Sequence, residues 1–132
     1  MRLLGIDYGS KRVGVALSDE GGQFAMPYSV IENSQTLSEG LAAEIEKIVI
    51  ANGVKEIVMG ESRDYKGNAN EIMAKSLELK KELEAKGFVV RLEPEFMTSV
   101  QAERLQGKNA KSDSSAAALI LQAYLDKDKG QI

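Results

Sequence analysis

Four carboxylates in this 132-residue chain stand where a carboxylate needs a reason. Asp7 closes the apolar run that opens "GIDYGSKRVGVALSD". Glu61 follows "EIVMG", and Glu95 follows "FVVRLEP". Asp113 begins the stripe 113, 117, 120, 121, 124, whose other members are Ala117, Ile120, Leu121 and Tyr124. At helical spacing those positions share one face, so Asp113 extends a core-facing stripe. Singly, each has an ordinary role: a turn residue, a residue favouring a helix dipole, a solvated loop residue. Gathered together they would repel one another, and a divalent cation relieves that repulsion. The chain has no histidine and no cysteine, which excludes imidazole catalysis, thiolate metal sites and cysteine nucleophiles. Oxygen-only ligation suits Mg²⁺ or Mn²⁺. Two such ions about 4 Å apart can activate water and steady a leaving oxygen at phosphorus.

The elements that must position these residues follow from periodicity. Leu3–Asp7 and Val13–Ser18 read as strands around a turn at Gly9. Phe24–Ile31 reads as a third, with Pro27 marking it as an edge or bulged strand. Leu37, Leu41, Ile45 and Ile48 recur at helical spacing and Gly53 is a stop signal. Val54–Gly60 is a buried strand, 61–70 a polar loop, and Glu71–Lys86 a helix stopped by Gly87. Phe88–Leu92 is another strand, Thr98–Leu105 a short helix, and Ser112–Leu125 the last helix with Ser112 as N-cap. The order β-β-β-α-β-α-β-α-α predicts an α/β domain. Its sheet has five mixed strands, an antiparallel meander of three plus parallel strands, flanked by helices. Residues 1–126 form one domain and 127–132 a polar tail. Sites in such sheets form outside the carboxyl ends of the parallel strands, where Asp7, Glu61 and Glu95 fall. With 28% charged residues and a net charge of −3, the surface as a whole is not basic, so any nucleic-acid contact must come from a local patch. No targeting or membrane-spanning segment is visible, and a cytoplasmic address is expected.

Three stretches resemble the YqgF family of small bacterial nucleases, relatives of the RuvC Holliday-junction resolvases on the ribonuclease H-like fold. "LGIDYGSKRVGVALSD" (Leu4–Asp19) is similar to the family's opening motif. "EFMTSVQAERL" (Glu95–Leu105) resembles its Asp-Glu-Arg-Leu-Thr-Thr segment, and "DSSAAALILQAYLD" (Asp113–Asp126) its closing helix. The resemblance implies that Asp7, Glu95 and Asp113 are the catalytic, Mg²⁺- or Mn²⁺-holding carboxylates of a phosphodiester-hydrolysing endonuclease. It also implies a part in maturing the 5′ end of precursor 16S ribosomal RNA. Two departures stand out: Pro94 and Phe96 replace the family's Asp and Arg around Glu95, removing a phosphate contact or an orienter of Glu95. Glu61, in place of the family's Leu in Gly-Leu-Pro, is a candidate extra ligand or a substitute for Glu95.

Lys11 and Arg12 flank Asp7 in the first turn and are the foremost candidates to hold a phosphate backbone. Arg63 and Lys66, and Arg104, Lys108 and Lys111, are further candidates. Tyr8 and Tyr65 could stack on a base, though Tyr8 could equally pack on the sheet. The expected partner is nucleic acid, precursor rRNA ahead of branched DNA, with ribosome association and a monomer or weak dimer. The rival readings are a Holliday-junction resolvase on DNA, which requires a dimer, and a catalytically silent RNA- or ribosome-binding module.

Overall fold

The computed structural model describes residues 1–9, 11–33, 40–62, 71–95 and 110–130. Its strands are β1 (Arg2–Tyr8), β2 (Arg12–Ser18), β3 (Ala25–Glu32), β4 (Val54–Ser62) and β5 (Val89–Glu95). Its helices among the described residues are α1 (Leu41–Asn52), α2 (Glu71–Ala85) and α3 (Ala110–Gly130). The five strands form one sheet in the order β3-β2-β1-β4-β5. The first three pair antiparallel, whereas β1–β4 and β4–β5 are parallel. This is the mixed sheet that the pattern of turns and helical crossovers predicts. The predicted 98–105 helix lies outside the described residues.

Alternation along the strands sends side chains into two cores. Leu4, Ile6, Val13, Val15, Leu17, Ile57, Met59 and Val90 pack under α1 and α2, which contribute Ala42, Ile45, Val49, Leu79 and Leu83. On the other face Leu3, Ala16 and Val58 meet Ala117, Ile120, Leu121 and Leu125 of α3. The stripe read from the sequence is therefore the buried stripe of α3. Glycines stop the first two helices as predicted. Gly53 takes the left-handed conformation with φ 63°, and its N–H donates to Val49 O.

Boundaries differ from the sequence reading in three places. Helix α3 begins at Ala110, so Ser112 lies inside the helix and is not its N-cap. Ala110 and Lys111 are good helix formers, and nothing before Ser112 breaks the helix. The same helix runs on to Gly130 through the predicted polar tail. No breaker intervenes, and Gln122 Nε2 donates to Asp126 Oδ1 one turn on, at 3.0 Å. Strands β4 and β5 are longer than predicted and stay in register to Ser62 and Glu95. Pro94 is tolerated there because β5 is an edge strand. At the other edge, β3 carries Pro27 and an irregularity opposite Val15 and Ala16, where Tyr28 is the extra residue.

The sheet and α3 approach most closely at Gly5. A Cβ placed there would lie 2.8 Å from Leu121 Cβ and 3.0 Å from the Ala117 carbonyl oxygen. Only a residue without a side chain lets the helix settle at this depth. Gly5→Ala is expected to lower stability by about 1–3 kcal/mol through overpacking. Urea unfolding of the two proteins measures it, and an unchanged midpoint would show that α3 yields at no cost.

Candidate functional site

The parallel pairing brings the carboxyl ends of β1, β4 and β5 to one edge of the sheet. Asp7 is half-buried, the last residue but one of β1. On one side it pairs with Gly14 of β2. On the other, one step beyond the paired Ile6 and Met59, it stands beside Gly60, which pairs with Glu93. A single row thus crosses the sheet as Val30, Gly14, Asp7, Gly60, Glu93. Alternation from Leu3 and Gly5 puts this row on the α3 face. Asp7 is the carboxylate of the row with a glycine on both neighbouring strands. Cross-strand neighbours sit about 5 Å away, so neither flanking strand sets a side chain beside its carboxylate, and both glycines are buried.

Helix α3 runs toward that row. Gly5 lies under Ala117 and Leu121. At the far end of the strands, the Ala25 N–H donates to Gln122 Oε1 at 2.8 Å. Toward lower numbers the helix therefore heads for the Asp7 end of β1. Asp113 lies one turn of α3, about 6 Å, before Ala117. Glu95 is the last residue of β5, two steps beyond Glu93, at a position on the α3 side by alternation.

Residues 1–127 match the family model described as "RuvX: Holliday junction resolvase". The chain belongs to the RuvX family. It is 31% identical to a protein of Corynebacterium diphtheriae named "Putative pre-16S rRNA nuclease", over 95% of this chain and 84% of that one. It is 34% identical to a Lactobacillus helveticus protein of the same name, over 96% of each. Among solved structures it resembles Thermus thermophilus RuvC in complex with a Holliday junction substrate. That match has a TM-score of 0.63 and 18% identity, covering 98% of this chain and 97% of that one. The fold is ribonuclease H-like.

Within this RuvX-family chain the predicted site residues fall into three groups. Asp7, Glu95 and Asp113 share the α3 side of the carboxyl edge by backbone position. Glu61 shares the edge but not the side. Val58 faces α3 and Met59 the other core, so Glu61, two residues beyond Met59, belongs to the α1–α2 side. The side chains of Glu95, Asp113 and Lys111 lie outside the described residues, as do Arg63, Tyr65, Lys66, Arg104, Lys108 and Phe96. Among the described residues no three acidic side chains gather tightly enough to hold a metal ion. Tyr8 packs against the α1–α2 core, which favours its packing role over base stacking. Asp19, the last residue of the opening motif, is at the opposite end of the sheet. There its Oδ1 accepts from the N–H groups of Gln23 and Phe24 at 2.7 and 3.0 Å, closing the β2–β3 turn.

Two contributors escape a reading of charges and motifs. Asn33 pins the turn after Asp7 from both sides. Its backbone N–H donates to Lys11 O, and its Nδ2 donates to Gly9 O, each at 2.8 Å. The exposed Lys11 and the start of β2 at Arg12 are thereby fixed beside Asp7. Gly14 and Gly60 are the second contribution, since they set no side chain beside Asp7. In sequence, glycines alternating with apolar residues beside a strand-end Asp were the available signal.

Neither Gly14 nor Gly60 has the positive φ that would itself require glycine. Gly60 is buried, so Gly60→Val is expected to lower the thermal transition by overpacking and to lose any activity that depends on bare backbone beside Asp7. Full activity in that variant would remove the glycine row from the site. Asn33→Ala should cost about 1 kcal/mol in urea unfolding, the net worth of a typical side-chain hydrogen bond. It should also weaken binding of a polyanion; unchanged affinity would detach the turn from the site.

Proposed function

We propose that this chain is a metal-dependent nuclease that hydrolyses phosphodiester bonds, with the 5′ leader of precursor 16S rRNA as its substrate. The observation that carries this reading is the row through Asp7. A strand-end carboxylate sits between two glycines at the carboxyl edge of a parallel pairing, with α3 directed at it. Membership of the RuvX family and the names of the relatives support the reaction class and the RNA.

An oxygen-only donor set from Asp7, Glu95 and Asp113 would hold Mg²⁺ or Mn²⁺. Such an ion supplies, when bound, an activated water and stabilisation of charge on the leaving 3′-oxygen. The chain's own residues do the rest. Asp7 orients the site because its strand is fixed between β2 and β4. Lys11 and Arg12 neutralise backbone phosphates next to Asp7, which a chain of net charge −3 must do locally. Glu95 closes the site from β5, with Pro94 stiffening the strand end before it. Arg63, Lys66 and Lys111 extend the phosphate track. Glu61, on the other side of the sheet, lies outside this metal set. Ribosome association and a cytoplasmic location follow from the RNA substrate; among the described residues no helix is long and apolar enough to cross a membrane.

The resolvase reading keeps two supports, the description of the matching family model and the fold shared with a RuvC solved on a Holliday junction substrate. Cleavage of a precursor 16S leader and of a four-way DNA junction, each with Mg²⁺, Mn²⁺ or EDTA, separates the two readings. Metal-dependent cutting of the leader by the wild type, abolished in Asp7→Asn, is the expected result. Cutting confined to the junction would favour the resolvase. Binding without cleavage by either protein would make the chain a binding module. In the same assay, Lys11→Ala and Arg12→Ala should each reduce the slope of log affinity against log salt by about 0.7–1. An unchanged slope would take the phosphate contacts elsewhere.

A further inference from the structure

The Asp7 row ends in a carboxylate outside the metal set. Glu93 is buried, with 6% of its side chain exposed, and its carboxylate accepts from Lys127 Nζ at 2.8 Å. Lys127 belongs to the last turns of α3, and 58% of its side chain is exposed. The carboxylate is thus sunk in the protein while the lysine above it meets solvent. An ammonium carries three donors, and one ion pair does not exhaust them. A buried carboxylate is unfavourable unless its pairing persists, so Glu93 holds this lysine in one place. Much of the side-chain freedom that a ligand would have to remove is already gone.

That place is defined relative to Asp7. Glu93 stands in the Asp7 row two strands away, about 10 Å by strand spacing. On the other side of Asp7, Val13 faces the α1–α2 core, so Arg12 takes the α3 face that Asp7 and Glu93 share. It lies two residues along β2 from Gly14, the partner of Asp7. Arg12 and Lys127 therefore bracket Asp7 on one face, along a line that crosses the strands. A third cation stands behind Lys127. Arg91 precedes Glu93 by two residues and pairs with Val58, which packs on α3. Its side chain is 55% exposed and reaches Glu56 only at 3.7 Å. A polyanion that covers Asp7 must be neutralised on both sides of it, and Lys11 and Arg12 serve the β2 side alone.

We propose that Lys127, with Arg91 behind it, binds substrate phosphate at the β5 end of the site, so that a nucleic-acid strand lies across the sheet from Arg12 over Asp7 to Lys127. This rests on the nuclease reading for the substrate and adds the direction in which the strand runs. At a rise of about 3.4 Å per nucleotide, the span from Asp7 to Glu93 covers about three nucleotides of a stacked strand.

The test is binding of a fluorescein-labelled single-stranded 5′ leader RNA, in EDTA so that nothing is cut. Lys127 cannot be removed alone without leaving Glu93 buried and unpaired. Glu93→Gln/Lys127→Gln keeps a hydrogen-bonding pair and leaves the net charge of −3 unchanged. It should weaken binding on the order of fivefold and reduce the slope of log affinity against log salt by about 0.7. Glu93→Gln alone frees the lysine from its counter-charge and should bind more tightly than the wild type. Arg91→Gln should bind more weakly, and Lys127→Arg should match the wild type. A neutral methylphosphonate walked along the RNA reads the direction. The position that falls silent in Glu93→Gln/Lys127→Gln should stand several nucleotides from the one that falls silent in Arg12→Ala.

Unchanged affinity and slope in the double variant, with Arg12→Ala still lowering both, would overturn the proposal and leave the nuclease reading in place. The same methylphosphonate position for both variants would overturn the crossing direction. If the double variant melts well below the wild type, Glu93→Gln and Arg91→Gln decide: unchanged binding in both overturns the proposal. Binding that depends on Lys127, from a wild type that cuts neither RNA nor DNA, would sink the nuclease reading and keep the phosphate contact.

Discussion

The depth at which α3 lies on β1 governs the rest of this molecule. That depth is set by the absence of one side chain, at Gly5. A helix seated there buries Ala117, Leu121 and Leu125 against Leu3, Ala16 and Val58. It also brings an otherwise independent segment of chain to the edge where β1 ends. Small residues on neighbouring strands cooperate, since Ala16 pairs with Gly5. One residue pair further along, Gly14 and Gly60 extend the same shallow trough on either side of Asp7.

The parallel half of the sheet supplies the second requirement. Antiparallel pairing alone would send alternate strand ends to opposite edges. The crossovers through α1 and α2 bring β4 and β5 out alongside β1 in the same direction. Carboxylates far apart in sequence then share an edge without any long loop having to carry them. Electrostatics makes the arrangement dependent on cations, from lysine, arginine or metal, because like charges concentrated at one edge oppose both folding and a polyanionic partner.

Much of this was legible in the residues. The meander was visible in short apolar runs, with Gly9 in the turn between the first two. The two cores were visible in the change from alternating to helical spacing. Asp7 and Asp113 stood out because each sat at the end of an apolar pattern. Glu95 stood out from the resemblance more than from its surroundings, and its strand proved longer than its apolar residues announced. The rest depended on pairings between distant residues. Lys127 and Glu93 are 34 positions apart, and nothing in the pattern of either segment announces their ion pair. Asn33 ended a strand and gave no sign that it would hold the turn at Gly9. Glu61 stands one step of alternation across the sheet from Asp7, which the strand pattern itself contained. Helix α3 ran past both expected ends because nothing in 110–111 or 126–129 forbids a helix.

The outer edge of the sheet has a bearing on assembly. Among the described residues strand β3 has no partner strand on its outer side, and Pro27 and the bulge at Tyr28 interrupt its backbone pattern. Proline cannot donate, and a bulge bends the row of groups that a second strand would need. The sheet is thus closed to continuation through β3. A second copy of the chain could not lengthen the sheet from this edge, and any two-fold assembly would have to meet on another surface.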